Sequence, residues 1–505
     1  MNTVKLNNLT PKWNLHDLYL GLNDPKIQED LAIADQLAKE INENYKGQLT
    51  ELSGDIFGEL ISQYEKLNEV LGRISSFAQL MFAGDAENPD VTRFYQNMNE
   101  KIAKILSYTL FIEVEINYIN EEGFCKILQD KNVSRYAPWL KKKRLLKPHQ
   151  LSSDLEQILH EKTATGTMAW SRLFDETIAG LRFNWGEETI TCGDILNKIA
   201  DKDPGIREDA AKTLGRGLEQ QAKIFALITN TLAKDKHIDD TWRNFRRPVS
   251  SRNLSNQVED EVVDALVEAV RENYKGLSHR YYQIKAKWLG LEILDYWDRN
   301  APLPEADEAY IPWEEGKAIV IDSYDSFHPH LADIARTFFE GSWIDAEPRP
   351  GKDPGAFSHP TIPSVHPYIL MNYHGKSRDV MTLAHEIGHG IHQTLSNANG
   401  CFLSETPLTL AETASVFGEM LTFKQLIQLA KTQQRRKVLI ASKVEDMLNT
   451  VIRQIAFYSF EEQVHQERQK GELSAERLGE IWIKVQKESL GPAFRFSSEY
   501  QYYWS

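Results

Sequence analysis

Apolar residues recur every three to four positions over long stretches of this chain, which commits most of it to amphipathic helices. In SNQVEDEVVDALVEAVRENY, residues 255–274, Val258, Val262, Leu266, Ala269 and Val270 share one side of a 3.6-residue period. Ser255 or Asn256 is placed to cap that helix. Similar patterns fill 30–45, 56–80, 92–118, 210–234, 437–469 and 475–486. The exception is PRPGKDPGAFSHPTIPSVHP, residues 348–367, which holds six of the 19 prolines. No helix runs through that density of Pro and Gly, so a long loop is expected there. It leads into HPYILMNYHG, an apolar, β-prone stretch that predicts a strand ending at Gly375. A second proline-rich link, NAPLPEADEAYIP, separates the helices on either side of it.

Composition narrows the function classes. A chain of 505 residues that is 41% hydrophobic and 26% charged can bury a large core. Its formal charge of −15 disfavours nucleic acid, whose phosphates need a basic face. The run KKKRLLK, residues 141–147, predicts a solvated helix end. Cys125, Cys192 and Cys401 are sparse and unpaired in spacing, which favours a reducing compartment. No stretch has the apolar length of a signal peptide or a membrane span, so no membrane partner and a cytoplasmic location are expected.

The chemistry concentrates in MTLAHEIGHGIHQTL, residues 381–395, where three of the chain's 14 histidines lie within eight positions. With Ser377 or Asp379 as cap, a helix from Val380 to Leu395 is expected. Leu383, Ile387, Ile391 and Leu395 form its apolar stripe, and His385, His389 and His392 point nearly the opposite way. His385 and His389, one turn apart, can meet a single ion at the ~2.0–2.1 Å that zinc prefers. Glu386 lies beside them but is displaced around the helix, close to the ion without being a ligand. This is the H-E-x-x-H arrangement of zinc hydrolases, with Glu as general base. Chance alone yields the pattern in about 3 per cent of chains of this length and composition. A His six residues beyond His389 would mark a metzincin; that position is Leu395, and His392 stands where the metzincin Gly would be.

The third ligand is therefore sought as a carboxylate on a following helix. In SETPLTLAETASVFGEMLTF, residues 404–423, Thr406 suits a cap and Pro407 the first helical position. Glu412, Val416, Glu419 and Phe423 share a face, and carboxylates buried among apolar neighbours must be paired or metal-bound. Glu412 follows His389 by 23 residues, room for a helix end, a loop and a turn. Glu419, two turns on, suits a supporting role that fixes the tautomer of a ligand imidazole. Glu419 and Glu405 remain alternatives as third ligand, and both Glu412 and Glu419 could instead be solvent-exposed or paired with Arg or Lys.

HEIGHGIH with ETASVFGE downstream resembles the oligoendopeptidase F branch of the thimet oligopeptidase family of zinc peptidases. The likeness extends to WNLHDLY, WRNFRRPVSSRNLSN, SHRYYQIKAKWLG, GKDPGAFSHPTIPSVHPYILMNY and the terminal SSEYQYYWS. Position by position, it implies one zinc held by His385, His389 and Glu412, with Glu386 as catalytic base and Glu419 and His392 around the ligands. It implies a mostly α-helical, zincin-type body with a deep substrate channel, acting on internal bonds of short peptides. Along the chain it suggests an N-terminal helical region at 1–115, an oligopeptidase F-type helical domain at 116–195 and the catalytic domain at 196–505. Substrate contacts are expected from Gly355, Ala356, Phe357 and Tyr373, with the strand 368–373 offering an open edge to an extended peptide. Similar sequences run on beyond the counterpart of EYQYYWS into a stretch with a His and several Tyr, so part of the catalytic domain is expected to be missing. The aromatic run Tyr500, Tyr502, Tyr503 and Trp504 is expected to need a further segment to cover it. Two other readings carry the same motif: a zinc hydrolase of non-peptide amides, and a helical peptide-binding protein with an incomplete, inactive metal site.

Overall fold

A computed structural model describes residues 10–163, 165–303 and 310–505. The chain divides into two compact units, each made of two segments: Met1–Lys147 with Glu308–Ala430, and Pro148–Asp307 with Lys431–Ser505. These units cut across the consecutive stretches 1–115, 116–195 and 196–505 drawn from the sequence. Helices dominate both, and no helix among the described residues is long and apolar enough to cross a membrane.

The first unit opens with helices Pro25–Tyr45, Gly54–Gly84 and Pro89–Ser107. Asp24 and Asn88 start two of them by accepting from the amides of Lys26 and Asp90, each followed by a proline at the first position. Their inner faces, including Leu31, Ile41, Leu60, Leu67 and Phe77, build one apolar core. The continuous helix expected over 92–118 is broken into Pro89–Ser107, Phe111–Glu115 and a 3₁₀ turn at Ile116–Tyr118. The basic run does end a helix, Ala137–Arg144, where Arg144 donates to the carbonyls of Ile116 and Ile119.

The proline-rich stretch is less featureless than its composition suggests. Phe357–His359 forms a strand that pairs antiparallel with Tyr368–Leu370, which pairs in turn, parallel, with Ile344–Asp345. Tyr368–Leu370 is thus the buried centre of a three-stranded sheet, not the open edge expected. A buried lysine, Lys352, ties the loop to this sheet by donating to the Asp345 carboxylate and to the carbonyls of Glu347 and Met371. Burial disfavours the charged form of Lys352, and the Asp345 carboxylate offsets that cost. Residues 304–309 of the other proline-rich link lie outside the described residues.

The sheet leads into the histidine helix, Ser377–Ser396, which begins three residues earlier than expected. Asp379 accepts from the amides of His374 and Lys376 and so fixes its first turn. Leu383, Ile387 and Ile391 are buried as expected, but Leu395 is 48% exposed, beyond the reach of the core. The carboxylate helix, Leu408–Leu429, follows with Pro407 as its cap, one residue later than the Thr406 cap expected.

These two helices approach closely because glycines face backbone. A Cβ on Gly388 would lie 2.6 Å from Ala414 O and 2.8 Å from Ser415 Cα. A Cβ on Gly418 would lie 2.9 Å from Ala384 O and overlap the Tyr324 hydroxyl. That hydroxyl donates to Ala384 O at 2.9 Å, so helix Trp313–Phe327 braces the crossing.

In the second unit, helices Pro204–Trp242, Gln433–Arg468 and Ala475–Leu490 carry the core. A buried ion pair, Arg207–Asp298 at 2.7 Å, joins the first of them to the turn Tyr296–Asp298. The segment 255–274 keeps only part of its expected stripe: the helix is Asp260–Glu272, Val270 is buried as expected, Val267 is buried though outside the stripe, and Val262 and Leu266 are exposed. Ser255 ends the short helix Ser250–Ser255 rather than capping the next. Within this unit Tyr500 is buried, and Tyr502, Tyr503 and Trp504 are half-buried. Tyr500 is buried among Trp482, Tyr296 and Phe496, and Tyr503 donates to Ala211 O at 2.7 Å.

Overpacking a tight contact costs typically ~1–3 kcal/mol. Gly388→Ala is therefore expected to lower the thermal midpoint, whereas Gly471→Ala, at a glycine with open space around it, is expected to leave it nearly unchanged. Equal midpoints for the two would mean that the helix crossing is not close-packed.

Candidate metal centre

The glycine crossing brings the first turns of the carboxylate helix over the middle of the histidine helix. Glu412 Oε2 lies 3.2 Å from His385 Nε2 and 3.5 Å from His389 Nε2. The two rings stand 5.0 Å apart at 82°, as one-turn spacing with different ring rotations allows. Among the described residues these three form the one group of His, Cys, Asp and Glu donors clustered tightly enough for a metal ion. Tetrahedral zinc with donors at ~2.0–2.2 Å separates neighbouring donor atoms by roughly 3.3–3.6 Å. The gaps from Glu412 to the two imidazoles are close to that range, and all three donors lie within 4.8 Å of one another.

Surrounding groups orient these donors. Glu419 Oε2 lies 3.4 Å from His385 Nδ1, a contact that favours the ring proton on Nδ1, while Nε2 lies toward Glu412. Ser415, fully buried, donates to Glu412 Oε2 at 2.6 Å and also to its carbonyl. Sequence reasoning missed Ser415 and Tyr324, since a hydroxyl three residues from a ligand, or on another helix, carries no pattern of its own. Glu412 itself is 63% exposed, so the expectation that burial would demand a partner for it fails. Its position near both imidazoles, not desolvation, marks it. Glu405 lies apart from the trio, 3.8 Å from Lys142.

Glu386 is different. It is 5% exposed, and its Oε2 is buried without a hydrogen-bond partner. Burial raises its pKa to about 7, His385 opposes that shift and Glu412 adds to it. Burial also disfavours the charged form of His385, but the Glu419 hydrogen bond and the charges of Glu386, Glu412 and Glu419 outweigh it and raise its pKa. For His389 burial prevails and the pKa is lowered, with His385 and His392 adding to the effect and Glu412 opposing it. Three carboxylates converging on two imidazoles form a site of negative potential suited to a cation.

The remaining expected site residues scatter. His392 lies beside His389 along a neighbouring cavity. Tyr373 is 4% exposed; its hydroxyl donates to Ile311 O and its ring packs edge-on against Trp313, so it faces the core and not a ligand. Gly355 is held by Asp353 and Asn372, and Ala356 and Phe357 lead into the sheet's edge strand. Gly355, Ala356, Phe357 and Tyr373 are not among the residues lining the cavity beside His389, which takes Pro360–Pro363 from that loop instead. The edge strand is itself engaged, since Gln393 of the histidine helix donates to Ser358 O and accepts from the Ser358 hydroxyl.

Two histidines at H-E-x-x-H spacing, with a glutamate brought in from a second helix, make a donor set of the kind zinc hydrolases use. Residues 199–505 match Peptidase family M3, and residues 115–183 match Oligopeptidase F. The chain belongs to Peptidase family M3, a family of zinc metallopeptidases, and is a metallopeptidase. It is 25% identical to Oligopeptidase PepF of Bacillus subtilis over 98% of this chain and 74% of that protein. It is 26% identical to an oligoendopeptidase F homolog of Borreliella burgdorferi over 97% of this chain and 82% of that one. The crystal structure of oligoendopeptidase-F from Enterococcus faecium shares the fold, with a TM-score of 0.69 at 21% identity over 95% of this chain and 82% of that chain.

A metal at this site must displace the proton that the raised pKa of His385 favours. A group with a raised folded-state pKa holds its proton until higher pH, so metal competes less well in acid. Zinc is thus expected to raise the thermal midpoint, by more near about pH 8 than near about pH 5.5. A shift independent of pH would place the metal elsewhere.

Proposed function

We propose that this chain is a zinc-dependent endopeptidase that hydrolyses internal bonds of short oligopeptides. The observation that carries the reading is the buried, unpartnered Glu386 Oε2 beside the His385–His389–Glu412 donor set. His385, His389 and Glu412 would hold one zinc per chain, with Glu419 and Ser415 keeping two of those donors in place. Bound there, zinc would supply Lewis-acid polarisation of the scissile carbonyl and a more acidic water.

Glu386 supplies the proton traffic. Its Oε2 faces no competing donor, so it is free to take a proton from water attacking the carbonyl carbon. A carboxyl pKa raised toward neutrality then returns that proton readily to the departing nitrogen. The names of the relatives, oligopeptidase and oligoendopeptidase, support oligopeptides as the substrate class. The three free cysteines fit a cytoplasmic location. A helical peptide-binding protein with an inactive site remains the contrasting reading, and hydrolysis separates the two.

Glu386→Gln preserves size but removes the base. Turnover of an internally quenched peptide is expected to fall by roughly 10²–10⁴-fold with zinc content unchanged. Near wild-type turnover would end the mechanism. Glu412→Ala is expected to lose zinc on dialysis, read by elemental analysis; full retention would shift the third ligand to Glu419 or Glu405. Flexible peptides should be cut and a compact native protein left intact, as electrophoresis of the digest would show.

A further inference from the structure

Next to His389, within the first unit, lies a cavity of about 470 Å³. That size falls within the ~300–1,000 Å³ of sites that enclose small organic groups. Three rings from three separate segments make one wall. Trp139 and Phe402 stack at 4.4 Å between centroids and 14° between planes, and Tyr64 packs on Phe402 at 5.3 Å. Opposite them runs the turn Pro360–Pro363. Within it Thr361 has φ of 58°, a conformation costly for a β-branched residue. Its hydroxyl donates to His366 O at 2.8 Å and holds the turn in place.

Charge selects the occupant. Lys143 donates to Glu113 and also lies over the Trp139 ring, and Lys142 stands 3.8 Å from Glu405. Two cations are thus set against two carboxylates, which leaves the cavity no net side-chain charge from these four groups to recruit a charged guest. Its walls suit a neutral ring or branched aliphatic group instead. His389 and Ala411, the residue before Glu412, line it as well. A side chain seated there therefore belongs to a residue beside the reacting bond.

We propose that this cavity is a side-chain subsite that directs cleavage to bonds flanked by a bulky apolar residue, preferably aromatic. The proposal rests on the peptidase reading above and adds the residues that set its preference: Tyr64, Trp139, Phe402 and the turn 360–363. A rigid ring wall excludes water without having to be ordered on binding, so a buried aromatic guest gains from apolar burial and ring contacts together.

The test uses blocked octapeptides of Ala and Gly carrying one guest residue, Phe, Ala or Asp, at successive positions. With the zinc-loaded chain the cut bond, mapped by mass spectrometry, should move with the Phe, and kcat/KM should exceed that of the Ala and Asp peptides by about tenfold or more. Ser404→Trp, placed on the cavity wall, should erase the Phe advantage, bringing kcat/KM for the Phe peptide down to that for the Ala peptide. A cut fixed relative to one peptide end, or equal rates for Phe, Ala and Asp, overturns the subsite. Binding is read separately by calorimetry on Glu386→Gln, without turnover. There the Phe peptide should bind about tenfold or more tighter than the Ala peptide, and equal Kd values overturn the proposal. Failure of the parent chain to cut any peptide, with the Phe preference in binding intact, would count against the reaction and not against the subsite.

Discussion

The close crossing of the histidine and carboxylate helices is the constraint on which the site depends. Gly388 meets the backbone at Ala414 and Ser415, and Gly418 meets Ala384 O and the Tyr324 hydroxyl, so each helix presents its missing Cβ to the other's main chain. A side chain at either position would push the helices apart and widen the 3.2 and 3.5 Å gaps from Glu412 to the two imidazoles. Metal coordination tolerates only a few tenths of an ångström of error. The donor geometry is thus a packing property before it is an electrostatic one, and Ser415 links the two by lying in the contact while holding Glu412.

Electrostatics then divides labour among three glutamates of identical chemistry. Glu412 is exposed on its helix and reaches both imidazoles. Glu419, two turns on and largely sheltered, faces the far nitrogen of His385. Glu386 is the most buried, and that burial shifts its carboxyl toward the neutral form. Under the proposed function, environment would assign ligand, orienter and base, which is how one residue type can serve all three.

What could be read from the chain and what could not follow from the range of the interactions involved. The H-E-x-x-H spacing is a one-turn property of a single helix, so His385, Glu386 and His389 were legible directly. Glu412 was legible once a second helix was placed, but its burial was misjudged, because helix periodicity says which residues share a face and not which face is covered. The same limit applies to the stripe at 255–274, where Val270 is buried as expected but Val267 faces inward and Val262 and Leu266 do not. Strand partners are set by long-range pairing, so Tyr368–Leu370 could be foreseen as β but not as the middle of a sheet. Tyr324, the ring wall of Tyr64, Trp139 and Phe402, and the buried Lys352 all act across large sequence separations and leave no local signature.

X-ray absorption at the zinc edge of the purified, zinc-loaded protein tests the central claim most directly, because it reports donor identity and distance around the ion itself. The account requires nitrogen and oxygen donors only, at ~2.0–2.2 Å, with outer-shell scattering from two imidazoles and a coordination number of about four. A sulfur donor near ~2.3 Å, a single imidazole, or a shell of six oxygens would contradict it.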